Sequence, residues 1–213
     1  MSNDDLQPRA NPARLATFYV LVFLAGVLSM GFQIVASREL SPVFGSSIIV
    51  WSFLISTFLV AFSLGSFIGG LFCHPDRTVP VRVWAIISAI AVAAFAVNTF
   101  LREPVLSFIE TNIESLNLGV AVACLVLFLP PVLAMSSLHP LSVQLHAQLT
   151  GKASGRSSGT VYGISTLGNI AGVMLTALVL VPNIAVSTIL YLWSLFALLL
   201  CVFFCWLVSA SRA

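Results

Sequence analysis

The polar side chains that could bind a ligand or organise a helix bundle are few, and the first group lies in the segment QIVASRELSPVFGSS. Arg38 and Glu39 are adjacent there, directly after a long apolar stretch, and Gln33 lies five residues before Arg38. Charged residues at such a boundary usually reach out to the lipid headgroups. However, Pro42 shortens the connection that follows, so Arg38 could instead turn inward and pair with Gln33. An interfacial pair and a functional polar site both remain open.

The second group lies in the segment MSSLHPLSVQLHA, 135–147. Ser136, His139, Ser142 and His146 recur at helical spacing and therefore share one helix face. The two histidines lie about 10.5 Å apart along a helix axis, too far to share one metal ion. A broken helix that carries polar groups is one way in which transporters build a mid-membrane site. The alternative is a kinked helix whose polar face contacts neighbouring helices.

Two consecutive prolines predict where this helix is interrupted. Pro130 and Pro131 remove backbone donors, which frees the carbonyls of Val126 and Leu127 and bends the helix. Asn98, in another apolar stretch, is expected to form a hydrogen bond between helices.

Other kinds of site find no support in the sequence. It contains no Ser-His-Asp set, carboxylate pair or metal-spaced His/Cys cluster, so we expect no catalysis, metal or cofactor. The Gly-rich segment QLTGKASGRSSG lacks the GxxxxGK(S/T) spacing of a P-loop. A net charge of +2 without a basic motif argues against nucleic-acid binding.

The elements that must position these residues are six long apolar stretches. The chain of 213 residues is 59% hydrophobic and only 8% charged, too few charges for a soluble surface. A membrane-spanning helix needs about 20 apolar residues. Stretches of that length occupy 15–37, 48–73, 81–101, 118–147, 160–182 and 184–209. We therefore predict an all-α polytopic membrane helix bundle over 14–210, with the fourth helix kinked by proline, after a polar cytoplasmic tail, 1–13.

The distribution of basic residues predicts the orientation. Lys and Arg mark the cytoplasmic side of short loops, and seven of the nine fall on one side: Arg9, Arg14, Arg77, Arg82, Lys152, Arg156 and Arg212. Both termini are therefore expected in the cytoplasm, as in a multi-pass protein of the bacterial inner membrane. The outer segment 103–117 has apolar residues at helical spacing, so we expect an amphipathic helix on the outer membrane surface.

Small residues predict close helix packing. Gly65 and Gly69 in the second stretch, and Gly168 and Gly172 in the fifth, are each four residues apart. Such pairs allow membrane helices to approach closely. Because both pairs fall in the cytoplasmic half of the predicted topology, we expect the second and fifth helices to pack together there.

Four segments resemble a known family. They are QIVASRELSPVFGSSIIVW, LGSFIGG, HPLSVQLHA and GRSSGTVYGISTLGNIAGVMLTALVLVP. They resemble the multi-pass membrane domain of bacterial spermidine-synthase-like proteins, in which a cytoplasmic aminopropyltransferase-type domain usually follows. The family often has an acidic residue at the place of Gln33 and usually Phe at the place of His139. The Gly-rich cofactor motif and acidic polyamine-binding residues of the synthase do not occur here, so the resemblance implies a membrane part that lacks the catalytic domain.

Two functions follow as hypotheses. The first is a non-catalytic membrane subunit or anchor that docks a separate protein, such as a synthase-like or methyltransferase-like enzyme. The second is a small carrier or channel for a polar metabolite, with Gln33, Arg38, Glu39 and His139 as its polar site. Both hypotheses have the lipid bilayer as a partner. The first also requires another protein subunit.

Overall fold

The computed structural model describes residues 12–74 and 78–210, and within them six helices are long and apolar enough to cross a membrane. These are α1 (Pro12–Phe44), α2 (Ile48–Leu71), α3 (Val81–Asn112), α4 (Leu116–Thr150), α5 (Ser154–Asn183) and α6 (Val186–Ala210). The predicted all-α polytopic bundle is therefore confirmed. Residues 1–11 of the predicted tail, and also Arg9, Arg77 and Arg212, lie outside the described residues.

Two of the six helices contain a π-helical segment directly before proline. In α4, the segment Cys124–Phe128 comes before Pro130 and Pro131, and a further interruption at Ser137 separates Leu129–Ser136 from Leu138–Thr150. In α5, the segment Thr176–Leu180 precedes the last helical turn, Val181–Asn183. A wider turn accommodates the missing proline N–H groups. The fourth helix is thus interrupted where its prolines predict.

The Leu127 carbonyl, which lacks its usual helical hydrogen bond because of proline, accepts a hydrogen bond from another helix. The side-chain amide of Asn98 in α3 donates to the Leu127 carbonyl of α4 at 3.1 Å, and Asn98 is buried. Pro131 leaves that carbonyl without its usual partner four residues later. The expected interhelical hydrogen bond of Asn98 is therefore confirmed.

The outer segment 103–117 does not form a separate surface helix, so that prediction is wrong. Helix α3 continues through Pro104 to Asn112, and α4 begins at Leu116. The apolar residues Leu106 and Ile109 are buried in the bundle and do not face a membrane surface. Their helical spacing reflects an extension of α3 that packs on its neighbours.

The predicted contact between the second and fifth helices is also wrong, because each glycine pair faces a different helix. On α2, a Cβ atom at Gly65 would overlap with Leu133 and Ser136, and one at Gly69 with the Ser137 carbonyl. Helix α2 therefore packs closely on α4.

The glycines of the fifth helix lie against the first. A Cβ atom at Gly168 would overlap with the Phe23 carbonyl, and one at Gly172 would lie 2.7 Å from the Cα of Val27. The reciprocal position on α1 is Gly26, where a Cβ atom would lie 2.9 Å from the amide nitrogen of Asn169. Small residues allow close approach, but they do not encode which helix approaches.

An aromatic cluster from four helices fills the centre of the bundle. The ring of Phe32 in α1 lies 4.8 Å from Phe95 in α3, 6.1 Å from Phe58 in α2 and 5.9 Å from Phe128 in α4, between centroids. Helix α6 is joined to α1 by the Trp193 indole, which donates to the Leu28 carbonyl at 3.1 Å. Many large apolar side chains on the outside of α2, α5 and α6 are exposed, as expected of a surface that faces lipid.

Candidate functional site

A groove of about 610 Å³ lies at the end of the bundle where α1, α3 and α5 begin. We call this end the basic end. The groove is lined by Cys73 and His74, which follow α2, by the last turns of α4, and by the start of α5. The side-chain amide of Gln144 donates to the His74 carbonyl at 2.7 Å and so ties the segment after α2 to α4.

The turn between α4 and α5 gives the groove its shape. Gly151 ends α4 in the left-handed conformation, φ +64°, which favours glycine. Lys152 and Ser154 follow it along the groove. Helix α5 then starts after Ala153, which offers no side-chain cap, so the first amide groups of α5 are not capped by that residue. The groove therefore lies beside the positive end of a helix dipole.

The charged residues of the described ranges divide sharply between the two ends. The basic end carries four basic and no acidic side chains within 12–74 and 78–210: Arg14, Arg82, Lys152 and Arg156. The opposite end carries two basic and four acidic side chains: Arg38, Arg102, Glu39, Glu103, Glu110 and Glu114. The formal charge is thus +4 at one end and 2 − 4 = −2 at the other.

Cys73 lines the groove, and its thiol is a potential nucleophile. Its thiol donates weakly to the Gly69 carbonyl at 3.6 Å, and burial raises its pKa above the ordinary value. The thiolate, which is the reactive form, is therefore less populated at neutral pH than in a free cysteine.

A second, smaller cavity lies inside the helical region and is called the cleft. Its volume is about 180 Å³, and its polar lining includes Ser29 of α1, Ser66 of α2, His139 of α4, and Ser165 and Asn169 of α5. A further small cavity shares Ser29 and His139 with it. The cleft lies between α2 and α5, which pack on α4 and α1 respectively.

The aromatic ring of Tyr162 connects the groove and the cleft. It lines both cavities, and it lies parallel to the imidazole of His139, with the ring centroids 6.3 Å apart and the planes inclined by 6°. His139 is half-buried. Tyr162 was not among the residues predicted from sequence, although it opens the polar run YGISTLGN of the fifth stretch.

The other predicted site residues lie towards the opposite end of α1. Arg38 is exposed and forms no hydrogen bond with Gln33, which is half-buried. Arg38 is nine residues from Ser29, about 13.5 Å along a helix axis. Gln33 lies one turn from Ser29, on the same face, but does not line the cleft. Of the four predicted residues, only His139 lines it.

Glu39 is buried, with 4% of its surface exposed. Neither carboxylate oxygen has a hydrogen-bond partner among the described residues. Arg102 lies close enough to attract the carboxylate, but its guanidinium forms an ion pair with Glu103 at 2.8 Å. Arg102 therefore interacts with two carboxylates at the opposite end of the bundle, which we call the acidic end, an arrangement that the sequence did not predict.

The polar face predicted for the fourth helix is divided among three neighbours. The Ser136 hydroxyl donates to the Ala61 carbonyl of α2 at 2.9 Å, and His139 faces Tyr162 of α5. His146 is fully buried and lies 3.1 Å from the hydroxyl of Tyr19 in α1. These contacts hold α4 between α1, α2 and α5, which agrees with the interpretation of a polar face that meets neighbouring helices.

Comparisons with protein-family models, with curated proteins and with solved structures found no match to this chain. Within the described ranges, no group of three or more His, Cys, Asp or Glu side chains could hold a metal ion. The argument for function therefore depends on the two cavities and on the distribution of charge.

Proposed function

We propose that this protein is a non-catalytic membrane subunit that docks an acidic segment of a separate cytoplasmic protein in the groove at the basic end. The observation that carries the proposal is the groove itself, about 610 Å³ and lined by residues from α4, α5 and the segment after α2. A cavity of this size accommodates a few side chains of a partner.

The charge around the groove supports an acidic occupant. Lys152 lines the groove, Arg156 is exposed on the first turn of α5, and the start of α5 adds a partial positive charge. A basic end alone follows from the positive-inside bias of membrane proteins. The combination of that charge with a shaped groove and an uncapped helix start is what favours a specific acidic partner.

The proposed location of the partner follows from the predicted orientation, which places the basic end in the cytoplasm of a bacterial inner-membrane protein. From the sequence resemblance described above, we infer that the partner is a synthase-like or methyltransferase-like enzyme. In that arrangement the membrane subunit holds the enzyme at the membrane.

The alternative function, a carrier for a polar metabolite, has weaker geometric support. Its four candidate residues do not meet in one cavity, since His139 lines the cleft and Arg38 is exposed towards the acidic end. Among the described residues that line the cleft, of about 180 Å³, none carries a fixed charge that could bind a charged metabolite.

Site-specific photocrosslinking in native membranes tests the docking function. A photoreactive amino acid at Ser158, which lines the groove, should crosslink to an acidic segment of one protein. The double variant Lys152→Glu and Arg156→Glu should reduce the yield of that crosslink at least tenfold. A tenfold loss of affinity corresponds to about 1.4 kcal/mol of binding free energy. Arg82→Glu is the matched control, because it reverses a charge at the same end but does not line the groove.

The outcomes separate docking from lipid binding. A crosslink to one acidic protein segment that survives Arg82→Glu and is lost in the double variant supports the proposal. Crosslinks to phospholipid alone, or a protein crosslink that all variants preserve equally, would overturn it.

A further inference from the structure

The polar lining of the cleft is not used by the docking function and has its own implication. We propose that the cleft binds the uncharged polar head of a membrane-soluble amphiphile, and that this head carries carbonyl or hydroxyl oxygens. Its apolar tail lies along the lipid-facing sides of α2 and α5. The proposal rests on unpaired hydrogen-bonding groups, on the lack of charge and on the position of the opening.

Two serines that line the cleft have side-chain hydroxyls without a hydrogen-bond partner among the described residues. Ser29 and Ser165 are 7% and 3% exposed, and neither side chain forms a hydrogen bond with another described residue. In contrast, Thr166 and Ser142 donate to carbonyls of their own helices at 2.7 and 2.8 Å. An unpaired polar group costs free energy in a membrane, where no bulk water replaces the missing partner. Ser29 and Ser165 are therefore available to a bound molecule.

The amide of Asn169 and the imidazole of His139 add further hydrogen-bonding groups. Neither side chain is hydrogen-bonded to a described residue, and both line the cleft. The ring of Tyr162 lies parallel to the imidazole, with 6.3 Å between the ring centroids. Hydroxyls, an amide and an imidazole together provide several donors, which match the oxygens of an ester, a ketone or an alcohol.

One side of the cleft is formed by exposed residues of α5. Tyr162 and Thr166 line the cleft there, and the residues that follow Ser66 in α2 and Thr166 in α5 are Phe67 and Leu167, whose apolar side chains are exposed. The gap exists because α2 packs on α4 while α5 packs on α1. A ligand can therefore enter sideways from the lipid without crossing the bundle.

The size and charge of the cleft restrict the head group. A volume of about 180 Å³ corresponds to about six water molecules at liquid density. Such a volume accommodates a glycerol-sized or ring-sized head but not a whole lipid. No described side chain that lines the cleft carries a fixed charge, so none of them offsets the cost of burying a phosphate.

Photolabelling with a diazirine-bearing diacylglycerol tests the proposal, since this probe has a hydroxyl, two ester carbonyls and no charge. In proteoliposomes, labelled peptides should come mainly from α4 and α5 around His139 and Tyr162. Thr166→Trp, which places a bulky ring at the opening, should reduce this labelling at least fivefold. Thr188→Trp is the matched control, because Thr188 is also an exposed threonine of a membrane helix, α6.

A photoreactive phosphatidate of the same chain length provides the second comparison. Labelling that is specific for the neutral probe, lost in Thr166→Trp and preserved in Thr188→Trp supports the inference, provided that both variants melt like the parent. Equal labelling of all six helices, equal labelling by phosphatidate, or no effect of Thr166→Trp would overturn it. The docking test measures a protein crosslink at the groove, whereas this test measures lipid labelling at the cleft. Failure of one proposal can therefore be distinguished from failure of the other.

Discussion

Gly168→Ala is the most direct test of the α1–α5 contact. A methyl group at this position would overlap with the Phe23 carbonyl and lie 3.2 Å from the Cα of Gly26. Both neighbours are backbone atoms, so no side chain can rotate away. Overpacking of this kind costs about 1–3 kcal/mol, and with rigid neighbours we expect the upper end. Alanine regains about 1 kcal/mol of helix propensity, so we expect a net loss of about 2 kcal/mol.

Gly163→Ala is the matched control in the same helix. A Cβ atom at Gly163 would meet nothing within 4 Å, so only the propensity gain of about 1 kcal/mol applies. For a chain of this size, 1 kcal/mol shifts the melting temperature by about 2–4 °C. In a mild detergent, Gly168→Ala should therefore melt about 4–8 °C below the parent and Gly163→Ala about 2–4 °C above it.

The opposite signs make the experiment decisive. A general effect of alanine on helix formation would move both variants in the same direction. If the melting temperature of Gly168→Ala equals or exceeds that of the parent, α1 and α5 do not approach each other as closely as in the structure. The close packing of α5 on α1 would then no longer explain the gap between α2 and α5.

Three further predictions concern single features. Asn98→Leu leaves the Leu127 carbonyl unpaired and should cost about 1 kcal/mol, a fall in melting temperature of about 2–4 °C; an unchanged value would show that the hydrogen bond contributes nothing. In a variant whose only cysteine is Cys73, alkylation by a maleimide should rise with pH later than for free cysteine, because burial raises the pKa of this thiol; coincident profiles would contradict this. A reporter active only outside the cytoplasm should work when fused at Glu110 and stay silent at Lys152, and the reverse pattern would place the groove on the other side.

The number and approximate positions of the membrane-spanning helices could be predicted because they depend on a property of each segment alone, although α1 and α3 continue beyond their apolar stretches to Phe44 and Asn112. A stretch such as 48–73 must be long and apolar to cross a bilayer, whatever its neighbours are. The same holds for the interruption of α4, since Pro130 and Pro131 remove hydrogen bonds within their own helix. The wrong prediction for 103–117 came from a property that depends on neighbours. An apolar face can lie on a membrane or, as for Leu106 and Ile109, pack in the bundle.

The cleft could not be predicted, because it results from which helices pair. The glycines of α2 and α5 marked two surfaces of close approach, but the pattern contains no information about the partner. Had these helices packed on each other, Ser66 and Ser165 would face across a closed contact. Instead α2 packs on α4 and α5 on α1, so the two polar surfaces remain apart with His139 between them. The helix pairing of α2 with α4 and of α5 with α1 therefore explains both the incorrect packing prediction and the unpredicted cleft.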